Sequence, residues 1–260
     1  MYYLSLNNYL RNRFGQKVYK ISVNGGFTCP NRDGTLGSNG CIFCSGYGSG
    51  DFSEDASLTI TQQIERGKKR VEAKLSDGKY IAYFQAFTNT YGPVDRLRSL
   101  YLEAINHPDI VAISIGTRPD CLGEEVFRLL REMNQIKPVW VELGLQTIHE
   151  ESAKYIRRGY PLKVYDTAVK NLREIGIEVI THVILGLPGE SREDMLKTVE
   201  HVVRCGSKGI KLQLLHVLKG TDLAEDYLAG RFETLSFDEY IEILNACVEI
   251  LPDDCTTGSS

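Results

Sequence analysis

The sequence predicts an α/β protein, more specifically a partial, open-sided (β/α)6 TIM-like barrel. Short runs rich in β-branched and aromatic residues, typical of buried strands, alternate along the chain with stretches of helical periodicity. About six such units of roughly 30 residues follow one another, and right-handed parallel crossovers require this spacing. Six units fall short of the eight in a closed barrel, and a doubly wound sheet is the alternative architecture.

The strands are predicted from short apolar segments. A first strand precedes a loop that contains three cysteines, and five further strands follow that loop. The six segments are 19–23, 80–87, 110–115, 139–145, 177–187 and 210–218. Because no linker rich in Pro, Gly or Ser divides them, the chain is predicted to be a single domain, residues 1–260.

The intervals between the strands carry apolar stripes of helical spacing. The stripes are formed by Ile60, Ile64, Val71 and Leu75, and then by residues within 94–105, 122–136 and 165–172. Ser191 precedes Asp194 with the spacing of a capping box, which predicts a helix N-terminus. Ser236 with Glu239 gives the same signal for a last helix at 237–250.

Composition and charge narrow the class of protein. A chain of 260 residues with 42% hydrophobic residues is long enough for a sizeable core. Seven cysteines without an even ladder of spacings argue against a secreted disulfide scaffold. The N-terminal residues lack the pattern of a signal peptide, and the longest apolar run is about half of a membrane span. We therefore expect a cytoplasmic protein with no membrane partner.

A loop rich in glycine and asparagine, residues 25–52, carries three of the cysteines. Cys29, Cys41 and Cys44 have the spacing C-x11-C-x2-C. A C-x2-C pair in a loop places two sulfurs for one metal ion or cluster, although incidental cysteines in a turn are the simplest alternative. Structural zinc requires four protein ligands, whereas a catalytic zinc ion can be held by three. An iron–sulfur cluster that is held by three cysteines keeps one iron open for another ligand.

Polar side chains interrupt the apolar strands or follow them directly. In a parallel barrel the carboxyl ends of the strands meet at one face, where functional groups gather. Glu142, His182 and Gln213 lie within predicted strands, where an unpartnered polar group is costly. We therefore expect these three side chains to converge on one pocket.

Several sequence blocks resemble the radical S-adenosylmethionine (radical SAM) superfamily. The blocks are GGFTCPNRDGT, GCIFC, FQAFTNTY, GTRPDCL, VELGLQT, HVILGLPGE and LQLLHVLKGT. The wide first cysteine gap departs from the usual C-x3-C-x2-C but is similar to the branch that contains the elongator catalytic subunit. Taken together the blocks resemble the bacterial YhcC/YtqA type, over nearly the whole chain. The fold expected from this resemblance is the open-sided barrel of the radical SAM type.

The resemblance implies two cofactors. Cys29, Cys41 and Cys44 would hold a 4Fe-4S cluster, and S-adenosylmethionine would chelate the open iron. An electron from an external low-potential donor would then cleave S-adenosylmethionine to a 5'-deoxyadenosyl radical, which abstracts hydrogen from the substrate. Relatives in the elongator branch act on wobble uridines, which makes tRNA the leading substrate. A small-molecule or peptide substrate is the alternative, and a non-catalytic metal or redox sensor is a third hypothesis.

The resemblance also implies which residues contact S-adenosylmethionine. The predicted set comprises Phe43, Gln85, Ala86, Thr88, Glu142, Gln146, Arg157, Arg158, Ile184, Gly186 and Leu187. Gln85, Ala86 and Thr88 occupy the position of the motif that binds the methionyl amine, where backbone carbonyls would replace the absent Gly-Gly-Glu. Glu142 would accept hydrogen bonds from the amine or ribose, and Arg157 or Arg158 would pair with the carboxylate. The segment 183–189 would lay its backbone along adenine.

Each of these predictions has a structural alternative. For Gln85, Ala86 and Thr88 the alternative is an ordinary strand end, and for Glu142 it is a structural ion pair. The arginine pair is also typical of a solvated helix end, and segment 183–189 of a strand-to-helix turn. Cys121, Cys205 and Cys247 are more typical of small buried hydrophobes. Basic clusters at 11–20 and 157–158 are expected near the barrel mouth, where they favour tRNA. The chain stops soon after the predicted last helix, so a C-terminal extension present in similar proteins is expected to be absent or cut.

Overall fold

A computed structural model describes residues 4–48, 50, 53–71 and 78–258 of the chain. Eight strands are found in these residues: β1 (Leu4–Ser5), β2 (Val18–Val23), β3 (Lys79–Phe84), β4 (Ile110–Thr117), β5 (Val139–Gln146), β6 (Glu178–Leu185), β7 (Gly209–Leu214) and β8 (Thr256–Gly258). They form one sheet in the order β1-β8-β7-β6-β5-β4-β3-β2. All pairings are parallel, and the sheet curves into an open half-barrel.

The helices of the described residues follow the strands as crossovers. They are α1 (Leu6–Phe14), α2 (Ile60–Val71), α3 (Val94–Asn106), α4 (Glu124–Ile136), α5 (Glu150–Tyr155), α6 (Leu162–Glu174), α7 (Arg192–Cys205), α8 (Asp222–Leu228) and α9 (Phe237–Ile250), with a 3-10 turn at Pro119–Cys121. Apolar helix faces cover the outer side of the sheet. Tyr101 of α3, Leu129 of α4 and Leu172 of α6 are completely buried in the main core.

Helix α1 covers the N-terminal ends of the strands. Leu10 packs with Trp140 and Ile81 in a separate apolar cluster. The Arg13 guanidinium lies 5.6 Å from the centre of the Trp140 ring and pairs with Glu178, the first residue of β6, at 2.7 Å. The half-barrel is thereby covered at this end, and its accessible interior lies at the carboxyl ends of the strands.

The predicted half-barrel is confirmed, and all six predicted strands are present with shifted ends. Capping boxes at Ser191 and Ser236 are confirmed as well, since each serine accepts from the backbone N–H three residues on. The last helix has the predicted bounds. Leu75 of the first predicted stripe, with part of the cysteine loop, lies outside the described residues.

The sequence did not predict β1, β8, α1, α5 or α8. Each is short, and a two- or three-residue strand is too brief to show an alternating pattern. β8 lies between β1 and β7, with Thr256 opposite both Leu4 and Gly209. None of the helices in the described residues combines the length and apolar character that crossing a membrane requires.

Candidate active site

A cavity of about 280 Å³ opens at the carboxyl ends of β3 to β7. The cysteine loop, residues 25–48, forms one wall, and side chains from the interior of the half-barrel form the base. Cys29, Cys41 and Cys44 all line this cavity. No fourth cysteine lines it among the residues that the structure describes.

The C-x2-C pair lies in a tight turn that is fixed to neighbouring elements. The backbone N–H of Cys44 donates to the carbonyl of Cys41 at 3.0 Å. Between them, Ile42 is 4% exposed and packs into a small apolar cluster. Its N–H donates to the carbonyl of Ile156 at 3.4 Å, and its carbonyl accepts from the N–H of Leu223 at 3.1 Å. A buried apolar residue thus holds the two sulfurs at the cavity wall.

Two polar side chains support the loop from within. The Asn31 amide donates to the Cys41 sulfur at 3.4 Å and to the Arg157 carbonyl at 2.7 Å. Arg32 donates to the carbonyls of Cys44 at 3.1 Å and Ser45 at 2.7 Å. Gly40 has a φ of 75°, and a Cβ there would lie 2.9 Å from the Arg32 guanidinium. The left-handed backbone therefore favours glycine at this position.

A fixed positive charge lies beside the cysteines. Both oxygens of Asp120 accept from Arg118, at 2.9 and 2.7 Å, and the guanidinium lies 5.1 Å from the centre of the Tyr160 ring. Burial and then the neighbouring Cys44 raise the pKa of the Cys41 thiol to about 11, which the charge of Arg118 and the hydrogen bond from Asn31 oppose. Thiolates here consequently require a cationic partner in addition to Arg118.

The base of the cavity is a charge cluster around Glu142. This carboxylate is 1% exposed and accepts from Lys20, Ser114 and His182, the last at 2.7 Å. Burial alone would raise the pKa of Glu142, but Lys20 and His182 hold it well below its usual range. The pKa of His182 is lowered, chiefly because the ring is buried, although Glu142 opposes the shift. Glu142 is therefore an ionised carboxylate.

Lys211 is a second cation at the cavity base. Its ammonium lies 5.9 Å from the centre of the Tyr83 ring and interacts electrostatically with Glu142. Burial lowers its pKa. Within the described part of the chain, no hydrogen bond or salt bridge is found for this ammonium. It is thus available to an anionic group in the cavity.

Most of the residues predicted to contact S-adenosylmethionine line the cavity. Those that do are Phe43, Gln85, Thr88, Glu142, Gln146, Arg158 and Ile184. The Gln85 side-chain carbonyl accepts from Ser22 at 2.9 Å, which fixes its orientation. The expected convergence of Glu142, His182 and Gln213 is confirmed, since all three line the same cavity.

The other four predicted contact residues are not among those that line the cavity. Ala86 and Leu187 are buried beside the cavity, and Gly186 donates its N–H to the Met195 sulfur at 3.1 Å. The guanidinium of Arg157 pairs with Asp222 outside the cavity. Arg158 does line the cavity, but its guanidinium donates to the carbonyls of Thr147 at 2.6 Å and Tyr160 at 3.0 Å, so it is occupied by the backbone.

The predicted position of the basic cluster at 11–20 near the barrel mouth is wrong. Arg13 lies at the opposite end of the barrel against Trp140, and Lys20 points inward to Glu142. Arg157 and Arg158 do lie next to the cavity, but the Arg157 guanidinium pairs with Asp222 and that of Arg158 donates to backbone carbonyls. Strand alternation explains the error for Lys20, because every second residue of a strand faces the interior.

Sequence reasoning missed several functional candidates. Asn31 and Arg118 lie inside motif blocks and could have been found there. Lys211 breaks the apolar pattern of β7 just as Gln213 does. Phe87, Gln146 and Arg157 have φ values of 60°, 65° and 59° and are the described non-glycine residues in the left-handed region. Such strain concentrates at functional sites, but it is not visible in a sequence.

Comparison with known proteins agrees with this arrangement. Residues 29–202 match the model of the radical SAM superfamily, and residues 207–257 match the radical SAM C-terminal domain. The chain belongs to the radical SAM superfamily. It is therefore an enzyme of this superfamily, whose cofactors are a 4Fe-4S cluster and S-adenosylmethionine.

Three relatives are informative. The chain is 46% identical to YtqA of Bacillus subtilis, covering 97% of this chain and 78% of the relative. It is 41% identical to YhcC of Escherichia coli, covering 89% and 74%. It is 30% identical over 145 residues to a tRNA uridine(34) acetyltransferase of Methanocaldococcus jannaschii, covering 55% of this chain and 26% of the relative.

A solved structure shows the same fold. Elp3 of Methanocaldococcus infernus with an N-terminal deletion superposes with a TM-score of 0.69 at 21% identity. The match covers 93% of this chain and spans 56% of the Elp3 chain.

Proposed function

We propose that Cys29, Cys41 and Cys44 hold the 4Fe-4S cluster, that the adjoining cavity holds S-adenosylmethionine, and that the enzyme removes a hydrogen atom from a uridine nucleotide of tRNA. The observation that carries the first two parts is the cavity itself. Three thiols line it with no fourth described cysteine, beside a buried ionised carboxylate. When bound, the cluster and S-adenosylmethionine supply a 5'-deoxyadenosyl radical for hydrogen abstraction.

The donor set fits an iron–sulfur cluster. The three thiols share one wall of the cavity, and the N–H of Asn31 and the charge of Arg118 both stabilise sulfur that carries negative charge. Hydrogen bonds to the sulfurs are among the features that set cluster potentials. Three protein ligands leave one iron for the methionyl group, and an external low-potential donor supplies the electron.

The cavity residues have distinct roles towards S-adenosylmethionine. Glu142 accepts hydrogen bonds from the amine or ribose, and Gln85, Thr88 and Gln146 bind polar atoms at the strand ends. Phe43 and Ile184 provide apolar contact and exclude water. The cavity volume of about 280 Å³ lies just below the range of roughly 300–1,000 Å³ that is usual for small-molecule sites.

The tRNA substrate is supported by the relatives and by the architecture. One relative that shares 145 aligned residues is a tRNA uridine(34) acetyltransferase. A half-barrel of eight strands leaves an open side through which a nucleotide of a large substrate could enter. Lys211, at the cavity base, would then pair with a phosphate of that nucleotide.

A free small anionic molecule is the second candidate substrate. The net charge of −4 and the absence of the predicted basic cluster at 11–20 from the barrel mouth favour it, because tRNA binding usually relies on surface cations. Lys211 would serve the same purpose for a carboxylate or phosphate of such a molecule.

Label transfer tests the tRNA proposal. The anaerobically reconstituted enzyme would be reduced with dithionite in the presence of S-adenosylmethionine and a tRNA transcript made with perdeuterated uridine. We expect deuterium in the 5'-deoxyadenosine that is released. The matched control is a transcript with cytidine at position 34 and the same label elsewhere, and label transfer should be lost there because we expect the wobble uridine to donate the hydrogen. Equal, unlabelled 5'-deoxyadenosine with and without tRNA would contradict the proposal and favour the small molecule.

The cluster assignment is tested separately by visible absorbance after reconstitution with iron and sulfide. Alanine at position 29, 41 or 44 should abolish the broad charge-transfer band of the cluster. Cys121→Ala is the matched control, since Cys121 lies near Arg118 but does not line the cavity. Loss of the band in Cys121→Ala, with retention in one of the other three variants, would overturn the ligand set.

A further inference from the structure

Three potential metal ligands meet on the outer helical layer, away from the cavity. Asp166 lies on α6, and His201 and Cys205 lie one turn apart on α7. The His201 Nε2 atom is 2.7 Å from Asp166 Oδ1, and the Cys205 sulfur is 3.4 Å from Nε2 and 3.5 Å from Oδ1. A carboxylate oxygen, an imidazole nitrogen and a sulfur thus face one point.

The arrangement does not suit nucleophilic catalysis. In a catalytic triad the histidine uses one ring nitrogen for the nucleophile and the other for the carboxylate. Here the Cys205 sulfur and the Asp166 carboxylate both approach the same nitrogen, Nε2. His201 therefore cannot relay a proton between the thiol and the carboxylate. The three atoms can instead act together by binding a single ion.

A second group of potential metal ligands differs from the first because a lysine already pairs with its carboxylates. Glu65, His107 and Asp109 also lie close together. Lys68, however, pairs with Glu65 at 2.8 Å and with Asp109 at 2.7 Å, so the carboxylate charge is already balanced. For Asp166, no salt bridge to a lysine or arginine occurs in the described residues.

We propose that Asp166, His201 and Cys205 form a zinc site that joins α6 to α7, with water as the fourth ligand. Thiolate, imidazole and carboxylate are the three donors that zinc takes in proteins. Tetrahedral geometry requires donor atoms about 3.3–3.8 Å apart, which the two sulfur distances already satisfy. The ion takes the place of the proton between Nε2 and Oδ1 and widens that contact. The proton moves to Nδ1, so that the imidazole stays neutral, and the thiol proton is released to solvent.

The site is accessible to a metal ion. The side chain of His201 is 17% exposed and that of Asp166 is 40% exposed, so an ion and its water can reach both. The site is independent of the proposed function, because its residues face solvent between helices rather than the cavity. Its effect would be to link two helices of the outer layer.

Cobalt substitution tests the proposal. The full chain with Cys29, Cys41 and Cys44 changed to alanine would be titrated with Co²⁺, so that the cysteine loop cannot bind it. We expect one equivalent to produce tetrahedral visible bands and a thiolate-to-cobalt charge-transfer band. Adding Cys205→Ala should remove the charge-transfer band, whereas the matched control Cys121→Ala should leave it unchanged.

A zinc measurement on the protein with its cysteine loop intact provides the second readout. After reconstitution of the cluster, zinc content should be lower by about one equivalent in Cys205→Ala and in His201→Gln than in the unaltered chain. A charge-transfer band that persists without Cys205, or zinc content that is equal in all three proteins, would overturn the site.

Discussion

At the scale of single residues, Glu142 determines the chemistry of the cavity base. One completely buried carboxylate is surrounded by Lys20, His182 and Lys211. Removing one partner of a buried ion pair leaves the other charge without compensation, which is far costlier than losing an exposed pair. The stability of the half-barrel interior therefore depends on this carboxylate.

Substitution of Glu142 tests that dependence. Glu142→Gln keeps the size of the side chain but leaves two lysines close together, and we expect the free energy of unfolding to fall by about 3–5 kcal/mol. Urea denaturation of the full chain measures the change. Lys211→Met is the matched control, because it removes a half-buried ammonium that has no hydrogen bond in the described residues. That variant should be unchanged or more stable by about 1 kcal/mol.

Acid should destabilise the protein through His182 and Glu142. The folded-state pKa of each group is lowered, so in each case the unfolded chain binds more protons than the folded chain. The free energy of unfolding therefore decreases as the pH decreases. The loss should begin below about pH 6.5 for His182 and below about pH 4.5 for Glu142. We expect His182→Gln to flatten the first part of the profile in urea denaturation between pH 7 and pH 5. An unchanged slope in that variant would show that His182 is not responsible.

At the scale of elements, the capping box of α7 can be tested on its own. Ser191 accepts from the N–H of Asp194, and Asp194 accepts from the N–H of Ser191 at 3.0 Å. Ser191→Ala should lower the free energy of unfolding by about 1 kcal/mol. Ser191→Gly should lower the free energy of unfolding by only about 0.3 kcal/mol, since glycine is tolerated as an N-cap. Equal losses in both variants, measured in urea, would contradict this account.

The elements also show what could and could not be predicted. The long strands were predictable because each is a continuous apolar run, and the capping boxes because their spacing is local. The orientations of the two arginines in the α5–α6 turn could not be predicted. Which of Arg157 and Arg158 faces inward depends on the left-handed backbone of Arg157, and no local pattern specifies that conformation. Glu142 was predictable because a charge within an apolar strand must have partners.

At the scale of the whole molecule, β8 connects distant parts of the chain. It pairs with β1 on one side and β7 on the other, so a segment of three residues joins the first and seventh strands. The N–H of Thr256 donates to the carbonyl of Lys208 at 3.0 Å. α1, which follows β1 directly, covers the N-terminal end of the barrel.

Breaking this connection should weaken the covered end of the barrel. Thr256→Pro removes the backbone donor, and we expect a loss of about 1–3 kcal/mol in the free energy of unfolding. Hydrogen exchange should rise in α1 as well as at β7. Thr256→Val is the matched control, because it keeps the N–H and changes only the hydroxyl. Equal exchange of α1 in both variants would show that β8 does not hold that helix.

The Asn31 amide uses one hydrogen for the Cys41 sulfur and the other for the Arg157 carbonyl. Deamidation of this residue would exchange the nitrogen for an oxygen and set a carboxylate against two electron-rich atoms. Deamidation of this one side chain would then separate the cysteine loop from the turn between α5 and α6. If Cys41 binds the cluster as we propose, loss of iron on storage would follow from deamidation of Asn31 even with every cysteine intact.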